Sequence, residues 1–181
     1  MRTSSKYPTS YERALIAEQS RLRGQIIGAY SQSEFLLLDV AIQVRIWKEY
    51  WGLGLRYHRK LENRIKQAKL LFGAEGPLKK YEERIGPLLV ELEPLKDDRD
   101  FLSHAFCRIH TKGEAVSYFY TMIRVDGEHM LRIQKEFSEA EILELERKIT
   151  DLSQRFVILF SEIYIQEELE IFSGKHTTLP L

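Results

Sequence analysis

The sequence predicts a mainly α protein: a helical bundle with a small three-stranded antiparallel β-meander between its penultimate and last helices. Three observations lead there. Leu22, Ile26, Tyr30, Ser33, Leu37, Val40, Val44 and Trp47 step by threes and fours, the period of one helix face. Ile142, Leu145, Ile149, Leu152, Phe156, Leu159 and Ile163 alternate three and four without a break, a heptad seam. Between these helices the period changes: 105–110, 115–125 and 130–135 are rich in Val, Ile, Tyr and Phe. Lys112-Gly113 and Asp126-Gly127 read as the tight turns joining them.

Composition sets the frame. A chain of 181 residues suits one domain with a real core. Its 27 basic and 27 acidic side chains cancel, which argues against coating nucleic acid by bulk charge and leaves a local basic face open. Cys107 is the only cysteine, so no intrachain disulfide forms, as suits a reducing cytosol. The opening MRTSSKYPTSYER has no apolar signal core, and no stretch of about 20 apolar residues occurs. These features predict a soluble cytoplasmic protein with no membrane association.

In chain order, residues 1–10 read as a disordered lead-in to a single domain over 11–174, with 175–181 as a frayed tail. The first helix runs from Tyr11 to about Tyr50, weakened at Gly24 and Gly28 by about 1 kcal/mol each. Glu34 sits in an apolar run, SEFLLLDVAI. A carboxylate there is either paired, faces a polar cleft, or is exposed, because unpaired burial is costly. Trp51 to Gly54 breaks the helix; without a preceding strand it is no phosphate loop.

A second helix is expected over 56–72, with Tyr57, Leu61, Ile65, Ala68 and Phe72 inward. Its other side bears Arg56, Arg59, Lys60 and Arg64, with Lys66 and Lys69, against Glu62 alone. Such a face either tracks an RNA backbone or is solvated and faces acidic helices. Pro77 fits a helix first turn, Gly86-Pro87 is expected to end or kink that helix, and Pro94 to kink the next. Ser138 to Glu141 form a capping box stapled by Phe137 and Ile142, and Gly174 is the expected C-cap of the last helix. Residues 156–165, FVILFSEIYI, are apolar nearly all round. That stretch wants burial by its own bundle and by a second subunit, so a homodimer is expected.

The chemistry concentrates in LKDDRDFLSHAF, residues 95–106. As helix, Leu88, Leu92, Leu95, Leu102 and Phe106 make a core stripe, and Asp97, Asp98, Arg99, Asp100, Ser103 and His104 crowd beside it. Asp100 lies four before His104, so one can bond the other across a turn. Arg99 lies five before His104, roughly 140° round an ideal helix. For both to address one ligand, the helix loosens near His104 or a second subunit completes the site. The other reading pairs Arg99 with Asp97, Asp98 or a neighbouring glutamate while His104 caps the helix end. Cys107 and His110, three apart on a strand, point to opposite faces and make a poor metal pair. No metal or cofactor is expected.

The Arg, four to six residues, His spacing with a polar residue straight after the Arg resembles the signature of the HEPN superfamily. With the helix order over roughly 20–165, it is most similar to small stand-alone bacterial members that follow the motif with strands. The resemblance implies a dimer that cuts RNA without metal. Arg99 would stabilise the phosphorane charge, His104 would move protons, Asp100 would match the polar residue, and Glu34 the acidic residue of the first long helix. It further implies a toxin or phage-defence effector with a cognate antitoxin or other protein partner. Two departures stand out: relatives favour Asn after the Arg and Gly after the His, where this chain has Asp100 and Ala105. The alternatives are a non-catalytic dimeric module binding a nucleotide, RNA or a protein, and a structural dimer whose motif is an ion-pair network.

Overall fold

A computed structural model describes residues 8–113 and 115–169; the expected Gly174 cap, the 175–181 tail and most of the lead-in lie outside them. The described elements are helices α1 (Ser10–Gln43), α2 (Leu61–Gly73), α3 (Glu82–Leu92) and α4 (Lys96–His104), strands β1 (Phe106–Lys112), β2 (Ala115–Asp126) and β3 (His129–Ser138), and helix α5 (Glu139–Gln166). Short 3-10 turns occupy Val44–Ile46, Lys48–Leu53, Pro77–Tyr81 and Glu93–Leu95. The chain is therefore mainly α, with a β-meander between its last two helices. No described helix is long and apolar enough to cross a membrane.

The chain divides into two compact units, Met1–Ser31 with Pro94–Asp151 and Gln32–Glu93 with Leu152–Leu181. The first, the sheet unit, holds α4, the meander and the N-terminal parts of α1 and α5. Its strands run in the order β1-β2-β3, antiparallel throughout. Lys112 pairs with Ala115 and Asp126 with His129, so both connections are two-residue loops. Gly113 (φ 63°) and Gly127 (φ 58°) supply the left-handed backbone such loops require. One sheet face buries Tyr118, Tyr120 and Phe137. Gln19 of α1 donates to the Tyr120 hydroxyl at 2.9 Å, so the buried phenol is satisfied.

Reciprocal capping boxes start α1 and α5. Ser138 N–H and hydroxyl donate to Glu141 at 2.7 and 2.8 Å, and Glu141 N–H returns to Ser138 Oγ at 3.2 Å. Phe137 and Ile142, the residues expected as the staple, are both buried on either side of that cap. Thr9 and Glu12 repeat the arrangement at 2.6, 2.9 and 3.2 Å. That second box fixes Ser10 as helix, so the lead-in ends earlier than the sequence pattern suggests.

The second, helical unit packs α2, α3 and the C-terminal parts of α1 and α5. Its share of the α5 seam, Leu152, Phe156, Leu159 and Ile163, is buried, as Ile142, Leu145 and Ile149 are in the sheet unit. Phe72 meets Phe160 edge-on with ring centroids 6.3 Å apart. Two boundaries differ from expectation. α1 stops at Gln43 because Trp47 takes an extended conformation (φ −79°, ψ 131°), after the helix-poor run Val44–Ile46. α2 begins at Leu61, not Arg56, and Tyr57, expected inward, is 54% exposed. Gln67 accepts from Arg56 N–H at 3.0 Å and Arg64 Nε donates to the His58 carbonyl at 2.7 Å. Those side chains hold the preceding segment against the backbone bonds a helix would make. Gly86-Pro87 does not end α3, where exposed Pro87 lies within the helix. Pro94 instead sits in the 3-10 turn separating α3 from α4.

Gly76 is required by a close approach. At φ 153°, a Cβ there would stand 2.8 Å from the Tyr50 hydroxyl, which accepts from Leu78 N–H at 2.8 Å.

Candidate functional site

α4 is set by its ends. Asp97 and Asp98 lie in its first turn, where carboxylates favour the helix dipole. At the other end Arg23 of α1 donates to the Ser103 carbonyl at 3.0 Å. Ala105 then turns extended (φ −85°, ψ 146°) and feeds β1. Leu95 and Leu102 are buried as expected, but Phe106 is not the last rung of the core stripe. It opens β1 and is 66% exposed, because strand alternation puts Ala105 inward and its neighbour outward.

α4 stays a regular helix through His104, so it does not loosen there. Arg99 and His104 accordingly point to different sides. The Arg99 guanidinium lies 4.8 Å from the centre of the buried Tyr30 ring, and its Nη1 is 2.8 Å from Asp100 Oδ1. Asp100 thus takes Arg99 rather than His104 as its partner, and the bond that the four-residue spacing allows to His104 does not form. Asp98 pairs with Lys135 of β3. His104 is exposed and lines a cleft of about 700 Å³ with Lys96, Asp97, Asp100 and, from β2, Met122 and Arg124.

Glu34 is 8% exposed and paired, one of the outcomes its setting allowed: its Oε1 lies 3.8 Å from Arg64 Nη1. Both belong to the helical unit, in which Arg64 also holds the His58 carbonyl. Arg56, Arg59 and Lys60 are exposed on the segment before α2, so they do not share a helix face with Arg64. The structure therefore gathers Asp100 and His104 in one cleft, places Arg99 behind Asp100, and joins Glu34 to Arg64.

Lys96 and Arg124 are the cleft cations that sequence reasoning passed over. Arg124 carries no motif. Its signal is the hairpin register, which places it two residues before the Asp126-Gly127 turn on the face shared with Met122, and the packing of β2 on α4.

Cys107 and His110 do point to opposite sheet faces. Burial pushes the half-buried Cys107 thiol up from its ordinary pKa, while His110 stacks on Phe119 at 5.5 Å. Among the described residues, no three His, Cys, Asp or Glu side chains gather as a metal site. Comparison with protein-family models, curated proteins and solved structures finds no match for this chain.

Proposed function

We propose that the protein is a metal-independent endoribonuclease of HEPN type, with the α4 cleft as its RNA site. The observation that supports this reading is the cleft lining, where the His104 imidazole shares one concavity with Lys96 and Arg124. RNA carries its own nucleophile, so cleavage needs a proton acceptor, a proton donor and a cation for the developing charge. Histidine serves the proton steps near neutral pH. His104 takes the 2′-hydroxyl proton as that oxygen attacks phosphorus, and a protonated imidazole returns one to the departing 5′-oxygen. Lys96 and Arg124 balance the phosphorane charge.

Arg99 has two roles in this account. Resting on Tyr30, it holds Asp100 at the cleft wall. By exchanging Asp100 for a phosphate oxygen it would carry transition-state charge itself, bidentately. A homodimer supplies a second Arg99 and His104. Ile158 and Ile165, seven apart on α5 and 60% and 72% exposed, are apolar surface such a dimer would cover. The lone, half-buried cysteine suits a reducing cytoplasm, and a toxin or defence role with a cognate antitoxin is consistent with this activity.

One observation favours the second reading, a module that binds RNA or a nucleotide without cutting. Asp97 and Asp100 bring two carboxylates to the same cleft, where they repel phosphate. End-labelled RNA incubated with the protein in a chelator separates the two. The enzyme reading expects products ending in 2′,3′-cyclic phosphate and no cut at a 2′-deoxy position. Retention of intact RNA on the protein selects the binding module.

A further inference from the structure

Antiparallel register decides which side chains share the outward face of the meander. Phe106 pairs with Thr121, Arg108 with Phe119, His110 with Ser117 and Ile123 with Arg132, and paired residues point the same way. Phe106, Arg108, His110, Phe119 and Arg132 therefore stand together, opposite the face that buries Tyr118, Tyr120 and Phe137. All but the half-buried Phe119 are exposed. The His110 and Phe119 rings stack on each other, 7° from parallel with centroids 5.5 Å apart, on the same face as the exposed Phe106.

Charge on this face is one-sided. Arg108, Lys112 and Arg132 stand there against Glu136 alone among its strand residues, in a chain whose 27 basic and 27 acidic residues cancel. Cations also alternate with rings along β1, as Phe106, Arg108, His110 and Lys112 on every second residue. The core of a protein–protein interface sheds charge, whereas a single strand of nucleic acid presents a base face and a phosphate at every step.

We infer that the outward face of the meander is a stacking platform for single-stranded nucleic acid. Bases stack on the exposed Phe106 and against the His110–Phe119 stack, and phosphates meet Arg108, Lys112 and Arg132. The cations and rings of the platform do not line the α4 cleft, which β2 meets with Met122 to Val125, so the platform binds whether or not the cleft cuts.

The probe is a fluorescein-labelled 2′-O-methyl oligouridine of about 12 nucleotides, which has no free 2′-hydroxyl and so cannot be cleaved by internal attack. Fluorescence anisotropy should show binding by the full chain that weakens roughly tenfold in Phe106→Ala and in Phe119→Leu, the latter keeping apolar bulk while losing the ring. Arg108→Glu with Arg132→Glu should lower the salt slope by about 0.7 for each phosphate that is no longer neutralised. Circular dichroism and melting temperature should match the wild type in Phe106→Ala, whose ring is exposed. Arg84→Ala, which breaks an exposed ion pair of the helical unit, is the control and should bind the probe as tightly as the wild type. The inference is overturned if the wild type does not bind, or if the ring variants bind as the wild type does. It is equally overturned if Phe106→Ala dissociates a dimer seen by light scattering, since the face is then a protein interface.

Discussion

The helical unit and the α4 cleft of the sheet unit treat polar side chains in opposite ways. In the helical unit, polar groups placed among apolar ones are paired with each other. Glu34 faces Arg64, Asp39 accepts from Tyr164 and from Gln43 at 2.7 Å, and Glu91 takes Arg155 Nη1 at 2.9 Å. In the sheet unit, His104 and Arg124 line an open cleft, and Arg108 and Arg132 stand on an outward face. A buried polar group with its partner in place offsets the penalty of burial. A polar group at an open concavity has no such penalty to offset, so its chemistry is open to a ligand. The difference teaches where to look for function: in the sheet unit, around α4.

Removing one partner of a pair tests the structural half of this comparison most severely. Arg64→Ala takes a guanidinium away from the buried Glu34 carboxylate and from the His58 carbonyl, which should cost about 3–5 kcal/mol. At this chain length that lowers the melting temperature by about 10 °C by differential scanning calorimetry. The solvent-exposed pair Arg84–Glu162 is the control, where Arg84→Ala should cost under about 1 kcal/mol. Equal losses in the two variants would break the distinction between paired and open charge.

Gly76→Ala should rank next. Its Cβ meets the Tyr50 ring, which is buried and bonded to Leu78, and its backbone lies at positive φ. A loss of about 2–3 kcal/mol in urea unfolding is expected. In the sheet unit Arg124→Ala should behave oppositely, leaving stability within about 0.5 kcal/mol while weakening RNA binding in the cleft.

The smallest effects belong to the caps. Ser138→Ala should cost about 1 kcal/mol by loss of its bonds to Glu141. Glu12 and Glu141 are both held below the ordinary 4.5 of a glutamate, first by the backbone N–H of Thr9 and Ser138. Carboxylates lowered in the folded state stabilise it above their unfolded pKa, and that contribution is lost as pH falls through the folded value. Melting temperatures followed from about pH 6 down to about pH 3 should therefore fall less steeply in Glu12→Gln with Glu141→Gln than in the wild type.

What the sequence disclosed was chemistry written within a few residues. The α5 seam, the Ser138 box and the two glycine turns each specify a local geometry that packing had no reason to override. Thr9-Ser10-Tyr11-Glu12 carries the same box pattern and was legible too, yet a small polar lead-in masked it. The start of α2 was not legible. Arg56 to Lys60 continues a helical pattern, and only the bonds of Gln67 and Arg64 to that segment hold it out of the helix. Arg124 lies 20 residues from His104, and no spacing rule joins a strand residue to a helix end at that distance. Arg99 illustrates the same limit: adjacent helix residues do not normally face each other, and its bond to Asp100 forms while the guanidinium rests on Tyr30.

The central claim is that His104 works in an open cleft while Glu34 is committed to Arg64. Single-turnover cleavage of a labelled RNA by wild type, His104→Ala and Glu34→Gln tests it directly, with folding of each variant checked by circular dichroism. The account predicts that His104→Ala keeps its fold and loses about 10²–10⁴-fold in rate. Glu34→Gln should cut at the wild-type rate, whatever stability it loses. Undiminished cleavage by His104→Ala, or loss of cleavage in a well-folded Glu34→Gln, would contradict the account.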